Sequence, residues 1–281
     1  MNASPKLELL EISASDATHY PNAVTKVRNG DLTALVVRGV YDAVAMAWAT
    51  EQLELADSGR GVMAGVRRTT FPEKFNGWFY GQNLNLLTDG LDEYFNEGPS
   101  YLKRLDALLP RGEGFTERLL PLLSSLDEGR PYSAPPGPRQ GKNYQVTTIR
   151  GHGCKGYIPP HCDNEQAHNP SYEHLLTLVR DDLFSVVLAF NRPQSGGVLE
   201  VYDYVVPACA RVPIALASTV LRPDLSRACS LLLPLSPGDI VVVDSGRHYH
   251  RVTPVEGIRT RWTACSFMAH AINRRAVYCW G

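Results

Sequence analysis

"PGDIVVVDSGRHYHRVTPVEGIRTRW", Pro237 to Trp262, is the stretch on which the fold turns. β-Branched and apolar residues crowd two short runs, "DIVVVDSG" and "HYHRVTPV", and Gly and Pro punctuate them; a third, "RTRWTACSFMA", follows. That is the composition of strands. Only Glu256, Gly257 and Ile258 separate the last two runs, which predicts a hairpin. Working upstream, "GGVLEVYDYVV" (196–206), "LFSVVLAFN" (183–191) and "NYQVTTIRG" (143–151) have the same character. Such a series predicts a sandwich or small barrel of two sheets rather than alternating βαβ units. Residues 207–237 fit the period poorly and read as a lobe or long connection.

Residues 129–142, "GRPYSAPPGPRQGK", are dense in Pro and Gly and must be a loop. Before it the chain reads as mixed: a strand at Leu32–Val40, an Ala-rich amphipathic helix at Tyr41–Asp57, and short helices in "SYLKRLDALLP" and "FTERLLPLLSSLDE". The loop therefore marks a boundary between a mainly helical part, 1–142, and a mainly strand part, 143–281. No internal repeat is present.

Composition narrows the function. At 281 residues, 44% hydrophobic and 20% charged, the chain can bury one large core. A net charge of −1 provides no long-range attraction for nucleic acid or an anionic membrane. No signal-peptide pattern and no membrane-length apolar run are seen, so the cytoplasm is the expected location. Cys154, Cys162, Cys209, Cys229, Cys265 and Cys279 form no C-x-x-C pair and read as reduced thiols. "GHGCKG" (151–156) lacks the G-K-[ST] ending of a phosphate loop. The Cys and His spacings around His168 and His174 fit no structural zinc pattern.

Chemistry concentrates in "IPPHCDNEQ" (158–166). On a strand, residues two apart share a face, so His161 and Asp163 can aim into the barrel together while Cys162 turns into the packing. A 2-His-1-carboxylate metal site needs one more His from a distant strand and leaves positions open for other ligands. His248 and His250 both qualify by parity; the spacing from the strand end favours His250. Arg259 and Arg261 sit two apart on the next strand. A buried arginine needs a partner, and a bidentate carboxylate is the natural one.

"HCDN", then "GGVLEVYD", then "PGDIVVVDSGRHYHRVTPVEGIRTRWT" resembles the Fe(II)/2-oxoglutarate-dependent oxygenases over residues 143–269. The resemblance implies an α+β, mainly β fold: a double-stranded β-helix (jelly-roll, cupin-like) core with N-terminal helices packed on one sheet, in one domain over 1–281. It implies His161, Asp163 and His250 as metal ligands. It implies Arg259, with Arg261 as the alternative, as the arginine binding the distal carboxylate of the cosubstrate. His248 is then a neighbour of the site. The implied cofactors are Fe(II), 2-oxoglutarate and O2, with ascorbate as reductant in vitro.

More narrowly, the chain is similar to a bacterial subgroup of amino-acid hydroxylases and halogenases. In the halogenases the carboxylate position is Gly or Ala. Asp163 fills it here, so the expected reaction is hydroxylation of a small metabolite, a free or simply modified amino acid, with release of succinate and CO2. Desaturation, ring closure or protein side-chain hydroxylation at the same iron, and a non-catalytic ligand-binding barrel, are the competing expectations. The partner is a small-molecule substrate, neither nucleic acid nor membrane, and a homodimer is the default assembly. Arg67 and Arg68 in "GVRRTTFPEK" are candidates for holding a polar substrate, and Trp280 for a pocket lid.

Overall fold

The computed structural model describes residues 7–56, 58–87, 91–164, 169–206 and 223–281. In chain order the strands are β1 (Leu9–Ser13), β2 (Ala34–Arg38), β3 (Arg68–Thr70), β4 (Gly77–Tyr80), β5 (Tyr132–Ser133), β6 (Thr148–His152), β7 (Ile158–His161) and β8 (Phe184–Ala189). There follow β9 (Ser195–Gly196), β10 (Leu199–Val205), β11 (Ser230–Leu233), β12 (Ile240–Val243), β13 (His248–Val252), β14 (Val255–Glu256), β15 (Arg261–His270) and β16 (Val277–Trp280). The α-helices are α1 (Ala23–Asn29), α2 (Ala43–Ala56), α3 (Leu91–Ala107), α4 (Leu120–Ser125) and α5 (Glu173–Leu176).

Two sheets face each other. The small one has the order β11-β10-β13-β7, and the large one is built on β12-β8-β15-β6. From β6 to β15 the chain passes back and forth between the sheets in the double-stranded β-helix manner: β6 large, β7 small, β8 large, β10 and β11 small, β12 large, β13 small, β15 large, with β9 and β14 pairing apart. Sequence alternation explains how the large sheet sits. Leu35 and Val37, Val186 and Leu188, Ile240 and Val242, and Trp262 and Ala264 join a core cluster with residues of α1 to α4. Their neighbours Ala34, Val36, Val241 and Val243 face the other way and pack with Leu199, Val201 and Leu233 of the small sheet. A sheet covered on both faces reads as an unbroken apolar run, which is why "IVVV" shows no polar alternation.

The structure revises four expectations. The runs flanking Glu256–Ile258 are not a hairpin: β13 belongs to the small sheet and β15 to the large one, so their connection crosses the sandwich. Within that crossing, β14 pairs β9 instead. The line at residue 142 is not a structural boundary either. β2 pairs with β12 and β4 with β6, so the N-terminal part supplies both flanks of the large sheet. Helix α3 begins nine residues earlier than "SYLKRLDALLP" predicts and carries Pro99 within it. Part of the expected lobe, 207–222, lies outside the described residues, while "SLLL" within the same stretch is the strand β11.

Candidate active site

The H-x-D pair stands where β7 ends. His161 is its last residue and Asp163 begins a short turn, so the two converge by a bend rather than by strand parity alone. Residues 244–247, between β12 and β13, hold that bend. The Asp163 amide donates to the Ser245 carbonyl at 3.0 Å, and the Cys162 thiol to the Gly246 carbonyl at 3.1 Å. The Asn164 side chain donates to the same Gly246 carbonyl. Gly246 tolerates no side chain, because a Cβ would lie 2.2 Å from the Leu183 carbonyl oxygen. Arg247 secures the segment from behind, pairing with Asp244 at 2.7 Å and donating to the Arg28 carbonyl at the end of α1 at 2.6 Å.

β13 lies beside β7 and places His250 directly opposite His161. The two imidazole rings are 4.3 Å apart between centroids. Asp163 Oδ1 lies 3.4 Å from His161 Nε2 and 3.7 Å from His250 Nε2. One ligand atom from each of the three lies within 4.8 Å of the others, and among the described residues no other group meets this condition. His161 Nδ1 is 2.8 Å from the Pro159 carbonyl and His250 Nδ1 is 3.1 Å from the His248 carbonyl. A carbonyl only accepts, so each Nδ1 carries a proton, which leaves each Nε2 as the atom that faces Asp163.

The electrostatics fit a cation. Burial, and then the nearby His161, push the His250 imidazole down to about 4, so it is neutral at physiological pH. Burial alone raises the Asp163 carboxyl, but the two histidines outweigh it and bring it down to about 2. A neutral imidazole and an ionised carboxylate are the protonation states that metal ligation requires of His250 and Asp163. Bonds of about 2.1 Å put neighbouring donors about 3 Å apart, so the Asp163 oxygen, 3.4 Å and 3.7 Å from the two nitrogens, lies within an ångström of that spacing. The donor set, N, N and O, suits a first-row divalent metal such as Fe(II).

His248 shares its parity with His250 but not its surroundings. A bulge separates the pairings Val201–His250 and Val205–His248, and His248 Nδ1 is taken by the Tyr202 carbonyl at 2.9 Å.

The two arginines separate as well. β15 starts at Arg261, which is buried and lines the same cavity as the triad. Arg259 lies in the preceding turn, exposed, with its one described bond to the Arg192 carbonyl at 3.5 Å. Of the two expected candidates, Arg261 and not Arg259 shares the cavity of the triad: parity is equal, but the turn ends only at Thr260. Burial and then repulsion by Arg150 bring the Arg261 guanidinium down to about 10, still charged. Its described bond is to Thr263 Oγ1 at 3.4 Å, and among the described residues no carboxylate pairs with it. A buried unpaired guanidinium is costly and calls for an anionic ligand.

Sequence reasoning missed Arg150. It stands opposite Thr263 across β6 and β15, with its guanidinium 5.4 Å from the Phe79 ring and 5.5 Å from the Phe267 ring. It lines the triad cavity, and its Nε has no hydrogen-bond partner among the described residues. The available signal was its parity with Thr148 and His152, on the face of β6 opposite Ile149, which joins the helix-covered core. Ile158, Val187, Leu199, Val243, Val252 and Phe267 supply apolar wall.

Other candidates fall elsewhere. Trp280 is 1% exposed and sits behind Phe267, donating to the Tyr172 hydroxyl at 3.4 Å, so it is core and not a lid. Arg67 pairs with Glu93 at 2.8 Å, and Arg68 lies 3.9 Å over the Trp78 ring. His174 bonds to Tyr144; His168 and Cys209 lie outside the described residues. The other five cysteines are free thiols. No helix among the described residues is long and apolar enough to cross a membrane.

A comparison with curated proteins returned no match. Among solved structures the chain is similar to an N-substituted L-amino acid dioxygenase from Burkholderia ambifaria AMMD in complex with alpha-ketoglutarate. Identity is 15%, 92% of this chain and 90% of that chain are covered, and the TM-score is 0.57. A second structure of an N-substituted L-amino acid dioxygenase from Burkholderia ambifaria AMMD aligns at 15% identity over 92% of this chain and 90% of that chain, with a TM-score of 0.56. These likenesses concern the fold. The profile of the carrier-protein-independent halogenase WelO5 matches residues 6–281. A match of that extent places the chain in the WelO5 family, and the protein is therefore an Fe(II)- and 2-oxoglutarate-dependent oxygenase that uses O2.

Proposed function

We propose that this member of a halogenase-named family is a hydroxylase, and that His161, Asp163 and His250 hold its iron. The observation that carries the reading is the Asp163 carboxylate, ionised and buried 3.4 Å and 3.7 Å from the two imidazoles. In the related halogenases a Gly or Ala at this position leaves room for a halide. Here a carboxylate takes that room, and its charge repels a second anion.

The residues divide the work. His161 and His250, locked by backbone carbonyls, offer Nε2, and Asp163 neutralises half of a divalent charge. Arg261 anchors the far carboxylate of 2-oxoglutarate with its two-pronged donor. Bound there, Fe(II) with 2-oxoglutarate and O2 supplies the oxidising power to attack a C–H bond. Apolar wall from both sheets keeps water from the reacting groups. Net, 2-oxoglutarate, O2 and R–H give succinate, CO2 and R–OH, one oxygen atom going to each organic product.

For the substrate we favour a small metabolite bearing a carboxylate, a free or N-substituted amino acid. The cavity holds a second unpaired guanidinium, Arg150, beyond the one the cosubstrate needs. The same scaffold carries the N-substituted L-amino acid dioxygenase.

The test has two arms. Succinate release across a panel of amino acids and N-substituted amino acids, in chloride buffer, is followed by product mass. A gain of one oxygen is expected; a chlorine in place of hydrogen, or a loss of two hydrogens, overturns hydroxylation. Independently of substrate, the charge-transfer absorption of the anaerobic Fe(II)–2-oxoglutarate complex should ignore chloride in the wild type and respond to it in Asp163→Gly. Chloride sensitivity in the wild type rejects the reading.

A further inference from the structure

A cavity of about 300 Å³ lies at the end of the barrel remote from the H-x-D bend. Its outer wall is the β8–β10 connection, through Arg192, Gln194 and Ser195, and Pro234 across from them, all exposed. Its inner wall includes Val187, Leu199, Arg261 and Thr263, and the same four residues line the triad cavity. The two spaces therefore meet at Arg261.

The triad cavity has its own contact with solvent at the opposite end, where the His161 side chain is 20% exposed. Its wall along β15 runs from Arg261 to Phe267, about 20 Å at about 3.3 Å per residue. Among the described residues the cleft between the sheets thus has two mouths, with Arg261 near one and the metal ligands toward the other. We propose that the mouth at Ser195 and Pro234 is a passage for 2-oxoglutarate, through which the cosubstrate reaches Arg261 and succinate leaves without displacing a substrate held at the other mouth. This deepens the cosubstrate role assigned above to Arg261 and rests on it.

Charge and packing agree with such a passage. Arg192 is exposed on this rim, and exposed Arg259, bonded to its carbonyl, lies beside it; Glu256 stands opposite Ser195, and Glu51 and Glu54 share a neighbouring hollow with the two arginines. Within the lining of the cavity itself the charged residues are Arg192 and Arg261, both cations, which favours a dianion on the way in. The connection also lies directly on the anchor: a Cβ on Gly197, whose φ is +63°, would be 2.8 Å from Arg261 Cδ. The mouth is therefore bounded by chain that touches the arginine it serves.

A passage and a binding contact differ in kinetics. Narrowing a passage slows arrival and departure equally and leaves the equilibrium constant alone. Removing a contact mainly speeds departure. Ser195 is exposed, so Ser195→Trp narrows the mouth without disturbing core, and Ser195→Ala serves as control. Binding of 2-oxoglutarate to the anaerobic Fe(II) protein is followed by stopped-flow absorbance, and release by a chase with excess N-oxalylglycine. The expected result for Ser195→Trp is association and dissociation both slowed tenfold or more, with Kd within twofold of wild type. Pro234→Trp should do the same, and Ser195→Ala should match wild type. Unchanged rates in both tryptophan variants overturn the passage alone. Weaker Kd with unchanged association also overturns it, since the loop is then a contact. Absence of any cosubstrate signal in the wild type overturns the role of Arg261 as well.

Discussion

Arg259 and Arg261 differ by one turn of the strand period, and nothing local separates them. Both precede a run in which apolar and polar residues alternate, and both have the right parity. What separates them is where pairing begins: β15 takes up its partner His152 at Arg261, leaving Arg259 in solvent. Arg261→Ala should therefore raise the 2-oxoglutarate KM roughly ten- to a hundredfold, the equivalent of the 1.5–3 kcal/mol typical of a charge-assisted hydrogen bond. Arg259→Ala should change it less than threefold. Initial rates of succinate formation against 2-oxoglutarate concentration decide this, and a reversed order restores Arg259. The same logic governs His248 and His250. Parity admits both, and pairing chooses: a bulge sets His248 apart, while His250 lies opposite His161 and within reach of Asp163.

Among the elements, Asp127 shows how the helical layer supports the site. It is fully buried and bonds to Thr25 at 2.6 Å and Arg28 at 2.7 Å on α1, and to the Tyr132 hydroxyl on β5 at 3.0 Å. Arg130 adds an ion pair at 3.0 Å. The carbonyl of the same Arg28 receives Arg247, behind the segment that holds Asp163. Burial raises the Asp127 carboxyl, but Arg28 and Thr25 outweigh it and hold it below the usual carboxylate range. Its contribution is therefore complete above the unfolded value, about 3.9, and is lost as pH falls through the lower folded one. Asp127→Ala should lower stability by roughly 3–5 kcal/mol at pH 7, because Arg28 is left buried without its partner. Denaturant melts of both proteins at pH 7 and pH 3 check it: the gap should shrink toward acid. A gap that stays constant or widens would refute the pairing argument.

At the scale of the molecule, the question is whether the strand-rich half is a unit. The large sheet says that it is not. β12 and β6, the flanks of its double-stranded core, are each completed by a strand from the first 80 residues. Without residues 1–142 both edges would present unpaired amides and carbonyls. Ile240, Val242, Val186, Leu188 and Trp262, each at most 1% exposed, would lose the helices that cover them. Each such side chain accounts for roughly 1.5–3 kcal/mol of burial, and a typical domain has only about 5–15 kcal/mol in hand. Residues 143–281 expressed alone should aggregate or lack a cooperative melt by circular dichroism. A sharp melt from that fragment would contradict the sheet topology.

Taken by itself, the amino-acid sequence determined the class of the fold and the chemistry of the donors. Strand-forming runs, their punctuation and an H-x-D with a distant histidine are local or simply ordered features, and they survive without knowing who pairs with whom. Tertiary structure alone decided which histidine and arginine face inward, that β13 and β15 lie on opposite sheets, that β2 and β4 belong to the large one, and that Arg150 joins the site. Each of these depends on a hydrogen-bonding partner far away in the chain. Side-chain parity along a strand repeats every two residues and says nothing about where the strand starts; only its neighbours set that.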